Sequence, residues 1–231
     1  MYSKRIDGRG FDELRKMEAK IGVVESADGS AMFKIGDTIA IAAVRGPRDL
    51  HPKFMQNPKR GTLRCNYNMM SFSVDERIRP GPSRRSREIS LVTENALMPA
   101  VNLSDFPNAV VDVFVEIVQA DAGTRCAGIC AASLALADAG IPMRDMVCAV
   151  SVGKVGDKIL VDLNKHEEDY EEGCSDMPVA MLPGRDEISL LQLDGKMKKE
   201  EIAEALELAK KSCEKILEVQ RNALMEKYKN G

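Results

Sequence analysis

The sequence predicts an α+β fold with mixed sheets and packed helices. Strand patterns cluster in two parts of the chain, in the order several strands, helix, strand, helix, several strands, helix. This order differs from the regular alternation of a parallel βαβ array, and no Pro/Gly/Ser-rich linker separates the two halves. Hydrophobic residues make up 44% of the 231-residue chain, which suffices for a sizeable core, so we expect one domain over residues 1–231.

The first half begins with a polar, arginine-rich arm over residues 1–17, which is either a solvated terminus or a functional segment. Alternating patterns bounded by Gly-containing turns then predict antiparallel strands. A basic loop with three prolines interrupts them. The predicted antiparallel strands cover residues 19–26, 31–36 and 38–47, and a further strand pattern covers residues 63–73 after the loop at 46–62.

The second half alternates helices with strands. Ser83 or Ser86 can cap a helix in which Ile89, Val92 and Ala96 recur at helical spacing. An apolar strand at 110–118 leads into an Ala-rich helix at 124–139, which ends at a Gly-Ile-Pro break. Later strands are predicted at 146–156, 158–163, 178–184 and 187–195, before an amphipathic helix at 199–228.

Composition limits the possible functions. The net charge of -3 and pI near 5.6 argue against a uniformly basic surface that coats nucleic acid, so any contact with a polyanion must be local. The six cysteines lie mostly in apolar runs without a CxxC pair, as in reduced cytosolic proteins; Cys126 and Cys130 are either half of a metal site or packing residues. No apolar run has the length of a signal peptide or membrane span, so we expect a cytoplasmic protein.

The stretch QADAGTRCAGICAASLALADAG, residues 119–140, predicts an anion site. It joins the end of a strand to a glycine turn and then to a helix, which leaves backbone N–H groups at the helix start without partners. Gly123 permits a positive φ or close backbone approach, Thr124 adds a hydroxyl, and Arg125 adds a planar fork suited to phosphate. We therefore expect this turn to hold inorganic phosphate.

A second arginine-bearing helix start lies at Arg84 and Arg85, within the run PSRRSRE. If the two helices lie side by side, their starts form a single phosphate pocket; otherwise the run is a solvated cluster. Most carboxylates of the later acidic segment are expected to be solvated surface, and the segment contains Glu167, Glu168, Asp169, Glu171, Glu172 and Asp176. Asp176, directly before an apolar strand, is the one expected to be held rigidly.

Several separate motifs identify the chain as similar to the RNase PH family. They are IDGR near the N-terminus, ADGSAMFKIGDT, PSRRSREIS, QADAGTR with its Ala-rich helix and GIPMRD, DLN and DMPVAM, and they occur in the family's order from about Arg5 to the final helix. Within the family, the resemblance is to the catalytic subunits of archaeal exosomes. It implies the RNase PH-type fold, which is also described as ribosomal protein S5 domain 2-like.

The resemblance also implies an activity and a set of site residues. The activity is phosphorolysis, in which inorganic phosphate attacks the last phosphodiester of an RNA 3′ end and releases a nucleoside diphosphate. Asp176 would serve as general acid or as a ligand of Mg²⁺, with Asp169 as a second carboxylate displaced by a one-residue insertion. Phosphate and RNA would be held by two groups of residues: Arg85, Gly123, Thr124 and Arg125 for phosphate, and Arg84, Arg64, Tyr67, Lys59 and Arg60 for RNA.

Partners are implied in the same way. Exosome-type members form a six-membered ring, which is a trimer of heterodimers. In this ring the catalytic subunit alternates with an inactive paralogue, and S1/KH-type cap proteins bind RNA above it. Two alternatives stay open: a homohexamer that trims tRNA, and a noncatalytic ring subunit that only binds RNA. Presence of Arg85, the GTR turn and Asp176 together favours the catalytic alternative.

Overall fold

The computed structural model describes Tyr2, residues 4–170 and residues 173–229, and it contains two β-sheets with four helices. The first sheet has the spatial order β1-β2-β3-β5-β4, in which neighbours are antiparallel except for β4 and β5. Its strands are Met17–Ile21 (β1), Gly29–Ile35 (β2), Thr38–Asp49 (β3), Thr62–Met69 (β4) and Ala109–Gln119 (β5).

The second sheet has the order β7-β6-β8-β9 and is antiparallel throughout. Its strands are Cys148–Val155 (β6), Lys158–Val161 (β7), Cys174–Leu182 (β8) and Glu187–Leu191 (β9). The helices are Arg84–Leu97 (α1), Thr124–Asp138 (α2), Lys165–Glu168 (α3) and Lys199–Lys229 (α4). None of the helices in the described ranges is long and apolar enough to cross a lipid bilayer.

Helix α2 lies at the centre of the molecule, where it packs against strands of both sheets. Every residue from Cys126 to Leu136 is buried, and most are Ala, Gly or Cys. Small side chains allow close approach of the helix to the sheet: a Cβ on Gly128 would stand 3.1 Å from Val115 Cγ1. One continuous hydrophobic cluster therefore joins the two sheets through α2.

The outer edge of β4 is closed by side chains of α1. Ser90 Oγ accepts the Tyr67 N–H at 2.8 Å, and Glu94 Oε2 accepts the Cys65 N–H at 3.4 Å. Unpaired edge groups invite association with other strands, and these bonds satisfy them within the chain. They also fix α1 on the sheet, so that the first turn of α1 lies near the end of β4.

The N-terminal arm is not a solvated terminus. Arg5 is 1% exposed, and its guanidinium donates to Glu167 Oε1 at 2.8 Å and Oε2 at 2.7 Å. The same guanidinium donates to the carbonyls of Val161 and Asp162, each at 2.8 Å. The expectation of a solvated terminus is therefore wrong for Arg5, and a functional role of the arm stays a prediction.

Three further details differ from the sequence prediction. The acidic segment forms the short helix α3, whose N-cap Asn164 and buried Glu167 make a reciprocal capping box. The basic loop contains a 3₁₀ turn at Lys53–Met55. Asp176 lies inside β8, opposite Gly153 of β6, and not before the strand.

We predict that Arg5→Met lowers the free energy of unfolding by about 3–5 kcal/mol, because it leaves the Glu167 carboxylate buried without its cation. Urea denaturation monitored by circular dichroism measures this change. Lys20→Met, which breaks the exposed Lys20–Glu18 pair, is the control and should cause no measurable loss. Equal stability of the two variants would contradict the assignment of Arg5 as a structural anchor.

Candidate active site

A cavity of about 690 Å³ opens where α1 and α2 begin, beside β8 and α3. It is bounded by residues from both arginine-bearing segments and from the acidic segment. The predicted residues that line it are Arg85, Gly123, Thr124, Arg125, Asp169 and Asp176. The two helix starts therefore line one cavity, which corresponds to the first of the two alternatives that the sequence left open.

The turn before α2 has an unusual backbone. Ala122 and Gly123 both have left-handed dihedrals, with φ of 58° and 63°. No side chain caps the helix, and Ala127 N–H makes the first bond, to the Gly123 carbonyl at 3.0 Å. The N–H groups before it lie at a helix N-terminus that lines the cavity, which is a suitable place for an anion.

The position of Tyr67 does not fit the predicted contact with RNA. Its side chain is 4% exposed, and its hydroxyl donates to Thr124 Oγ1 at 2.9 Å. The ring lies in the hydrophobic core beneath α2, so it cannot stack on a base. Tyr67 instead orients the Thr124 hydroxyl at the cavity wall.

The three arginines at the helix starts have different surroundings. Arg125 forms an ion pair with Glu88 at 3.2 Å and a hydrogen bond to Gln192. The side chain of Arg85, which is exposed, has no hydrogen bond or ion pair with any described residue. Arg84 is exposed as well and lies outside the cavity lining, so Arg85 is the arginine of α1 that reaches the site.

Asp176 is held firmly at the cavity wall. Its carboxylate accepts a hydrogen bond from the Ser151 hydroxyl on β6, and its backbone exchanges two bonds of 2.8 Å with Asp194. Burial raises the pKa of Asp176, and the opposing effects of the Ser151 bond and of Arg125 do not cancel that rise. A carboxyl group with a raised pKa and a fixed position is suited to proton donation.

The second carboxylate at the site is Glu168, which sequence reasoning missed. Burial and the neighbouring Asp176 raise the pKa of Glu168 to about 7. Asp169, the predicted residue, is 61% exposed and pairs with Lys165 at 2.8 Å, so it lies at the cavity rim. Glu171 and Glu172 lie outside the described residues.

A signal for Glu168 is present in the sequence. Asn164 and Glu167 have the spacing of a capping box, which starts a helix at residue 165 and determines which side chains of that helix turn inward. Of the adjacent acidic residues, Glu167 then faces the core, Glu168 the cavity and Asp169 the solvent. Counting back from Asp176 alone could not separate Glu168 from Asp169.

The remaining predicted RNA-binding residues lie away from the cavity. Arg64 donates to Asp112 Oδ1 at 2.7 Å, near the start of β4. Met69 at the other end of β4 lines the cavity, so roughly 17 Å separates Arg64 from the site along the strand. Lys59 and Arg60 are exposed on the loop that precedes β4.

Comparison with known proteins places the chain in a family. Residues 13–142 match domain 1 of the RNase PH, 3′ exoribonuclease family, and residues 145–212 match its domain 2. The chain belongs to the RNase PH family. The two matches correspond to the two sheets of the fold, and they confirm the resemblance that the motifs indicated.

Relatives within the RNase PH family are similar over nearly the whole chain. The chain is 55% identical over 225 residues to exosome complex component Rrp41 of Thermococcus gammatolerans, covering 97% of this chain and 90% of the relative. It is 52% identical over 224 residues to the Rrp41 component of Methanopyrus kandleri, covering 97% and 93%.

Two solved structures have the same fold. Rice Rrp46 superposes with a TM-score of 0.84 at 25% identity, covering 95% of this chain and 100% of that one. A chain from the Archaeoglobus fulgidus exosome with RNA bound to the active site gives 0.80 at 28% identity, covering 93% and 92%. The predicted RNase PH-type α+β fold is therefore confirmed.

We predict that Tyr67→Phe raises the apparent KM for phosphate about threefold to tenfold while leaving RNA affinity unchanged, because it removes a single hydrogen bond to Thr124. The KM is measured by titrating phosphate in an assay of phosphate-dependent RNA degradation, and the RNA affinity is measured by filter binding. Weakened RNA binding with an unchanged phosphate KM would restore the stacking role that the buried ring contradicts.

We predict that Glu168→Gln flattens the dependence of stability on pH. With a pKa of about 7 in the folded protein and 4.5 as the ordinary value, the folded state retains a proton that the unfolded state has released between these pH values. The stability that this retained proton contributes is complete below pH 4.5 and is lost as pH rises through about 7. Wild-type stability should therefore fall by about 1–3 kcal/mol relative to Glu168→Gln between those limits.

Chemical denaturation at a series of pH values, with a chelator present, measures this difference. Asp169→Asn is the matched control, because its exposed carboxylate should leave the wild-type pH slope intact. Parallel curves for wild type and Glu168→Gln would show that Glu168 is not held in the environment described.

Proposed function

We propose that this chain is the catalytic subunit of an exosome, a phosphate-dependent 3′-to-5′ exoribonuclease that releases nucleoside diphosphates. One observation carries the proposal: a cationic pair of helix starts and a fixed carboxyl group of raised pKa line the same cavity. Membership of the RNase PH, 3′ exoribonuclease family supports the same activity. Release of diphosphates can be reversed, so the same site can also add tails.

Phosphate binds at the turn before α2. The N–H groups of the first turn and the Thr124 hydroxyl supply directed donors, and the helix dipole favours an anion at that end. Arg85 adds a positive charge from α1, and Arg125 adds one from α2 itself. Two groups on separate, packed helices hold the nucleophile in place before RNA arrives.

The reaction joins two anions, so charge neutralisation is its main requirement. A phosphate oxygen attacks the phosphorus of the last phosphodiester, and the bond to the 3′ oxygen of the preceding nucleotide breaks. The terminal nucleotide leaves as a nucleoside diphosphate. Asp176 gives a proton to the departing 3′ oxygen, because its raised pKa keeps the carboxyl group protonated to a higher pH than an exposed aspartate.

The cavity offers carboxylate oxygens, which are the type of ligand that Mg²⁺ binds. Glu168 offers hard carboxylate oxygens, as does Asp176 in the alternative to its role as proton donor, and Mg²⁺ is commonly bound by one or two carboxylates together with substrate phosphates. No group of three or more His, Cys, Asp or Glu forms a complete protein metal site in the described ranges. When bound, the ion would offset negative charge on the reacting phosphates.

RNA approaches the cavity past exposed basic residues near β4 and the start of α1. Lys59 and Arg60 on the preceding loop, with Arg64 and Arg84, would contact phosphates without reading bases. Such contacts suit an enzyme that degrades RNAs of many sequences. Because they are local, the net negative charge of the chain does not oppose them.

The ring partner is a second part of the proposal. The Thermococcus and Methanopyrus relatives are named exosome components. We infer that this chain alternates with an inactive paralogue in a six-membered ring that carries S1/KH-type cap proteins. Strand β9 is a sheet edge with the exposed side chains of Ile188 and Leu191, which is typical of surfaces covered in assemblies.

The deciding experiment incubates a single-stranded RNA with the chain, alone and with its presumed paralogue, with and without inorganic phosphate. Nucleoside diphosphates that appear only with phosphate support phosphorolysis. Nucleoside monophosphates would indicate hydrolysis, and RNA binding without release would indicate a noncatalytic subunit. Activity of a pure homohexamer on tRNA ends would favour the tRNA-trimming alternative.

We predict that Asp176→Asn reduces diphosphate release by at least about 100-fold while RNA affinity is retained, because it removes the proton donor and preserves the side-chain shape. Release is measured by chromatography and affinity by filter binding. Asp157→Asn, an exposed carboxylate at the turn between β6 and β7, is the control. Undiminished release by Asp176→Asn would refute the role given to this residue.

A further inference from the structure

We propose that Arg15, which lies behind the cavity and outside its lining, positions the phosphate-binding turn and ties it to the carboxylate-bearing helix α3. The inference rests on the proposed function, because the turn is assigned as the phosphate site. Arg15 makes no contact with the substrates in this proposal. It acts through the backbone that presents the donors.

Arg15 is buried and uses both edges of its guanidinium. On one side, Nε and Nη2 donate to the two oxygens of Asp162 at 2.9 and 2.7 Å, and the backbone N–H adds a bond of 2.9 Å. On the other side, Nη1 donates to the carbonyl of Asp121 and to its carboxylate at 3.0 Å. Asp121 immediately precedes the left-handed pair Ala122 and Gly123.

The turn needs such support, because a left-handed backbone is unfavourable for the non-glycine residue Ala122 and persists only when surrounding contacts fix it. Two side chains supply those contacts from behind. The buried Thr38 hydroxyl accepts the Asp121 N–H at 2.9 Å and donates to the Ala122 carbonyl at 2.7 Å. Arg15 holds the adjacent carbonyl, so both carbonyls that enter the turn are occupied.

The same contacts reach α3. The other oxygen of Asp121 accepts the Lys165 N–H at 3.1 Å, at the first residue of α3, which carries Glu168. Asp162, three residues before α3, has a left-handed φ of 55° and is held by Arg15. One guanidinium thus connects the phosphate turn to the segment that places the second carboxylate.

Space behind the turn is shaped to this side chain. Gly36 has a φ of 57°, and a Cβ on it would lie 2.4 Å from Arg15 Cδ. A lysine would retain the positive charge but could not make paired bonds to Asp162 and reach Asp121 at the same time, because it has one nitrogen in place of the fork. Arg15→Lys therefore removes the paired hydrogen bonds of the guanidinium while it keeps the positive charge, so it distinguishes the two contributions.

The test compares Arg15→Lys with Arg9→Lys in the complex that shows phosphate-dependent release. Arg9 also contacts Asp162, at 3.4 Å, but it does not touch the turn, so it is a matched control for loss of an Asp162 contact. We expect Arg15→Lys to raise the KM for phosphate about tenfold with little change in RNA affinity. Arg9→Lys should leave the KM for phosphate unchanged.

A second readout does not depend on activity. Thermal unfolding of the full chain with and without inorganic phosphate gives the stabilisation by the ligand, which follows its affinity. Arg15→Lys should lose most of the phosphate-induced shift in Tm, whereas Arg9→Lys should keep it. Asp121→Asn, which retains the side-chain shape, should reproduce a weaker form of the Arg15→Lys result if the arginine variant fails to fold.

The outcomes separate the two proposals. If the wild-type complex releases no diphosphate, the proposed function fails. If the wild type is active but Arg15→Lys and Asp121→Asn retain its phosphate KM and phosphate-induced shift in Tm, the positioning role is overturned. A parallel loss in Arg9→Lys would likewise overturn it, since the effect would then follow general destabilisation around Asp162.

Discussion

The left-handed turn at Ala122 and Gly123 is the constraint on which the site depends. It carries the chain from the end of β5, deep in the first sheet, into the start of α2, and it directs the open N–H groups of that helix toward a cavity. Glycine adopts this backbone freely, but alanine does not, so the conformation is stable only because Thr38 and Arg15 occupy the neighbouring polar groups. The anion site therefore depends on the contacts of Thr38 and Arg15 that hold the left-handed turn between β5 and α2.

The buried arginine–carboxylate pairs behind this turn fix the positions of the segments around them, and they need not increase the free energy of unfolding. Burying Arg5, Arg15, Asp162 and Glu167 requires desolvation, which close pairs offset only when their remaining donors and acceptors are also satisfied. Here they are satisfied: the Glu167 carboxylate accepts bonds from Arg5, from the Tyr2 hydroxyl and from the Asn164 N–H. A fully bonded ionic cluster fixes directions more sharply than apolar packing does, and both α3 and the phosphate turn are attached to it.

Local sequence patterns predicted the helices and strands well. The direction in which each side chain of the site points depended on tertiary contacts. The cap at Ser83, the break after α2 and the apolar face of α4 are all determined within a few residues, so the sequence was sufficient for them. The placement of Tyr67 was wrong because alternation along β4 separates two faces without showing that α2 covers one of them. The choice between Glu168 and Asp169 depended on the phase of the four-residue helix α3. The local Asn164–Glu167 capping box indicates that phase, and the contact of Glu167 with Arg5, more than 150 residues earlier in the chain, holds it in the fold. The arm itself was ambiguous because a polar composition does not show where its partners lie.

Arg85 and Arg125 illustrate why a cavity for two anions contains carboxylates as well as cations. The guanidinium of Arg125 is held between Glu88 and Gln192, so its direction is fixed, although phosphate must then share its donors with Glu88. Arg85 lacks such a partner among the described residues, so its charge is fully available but its side chain must be ordered by the ligand. One cation thus provides position and the other provides net attraction. On the opposite side, burial and the neighbouring Asp176 raise the pKa of Glu168 to about 7, and burial raises the pKa of Asp176. Both shifts favour the uncharged carboxyl groups, which lowers the negative charge that the protein itself places beside two anionic substrates.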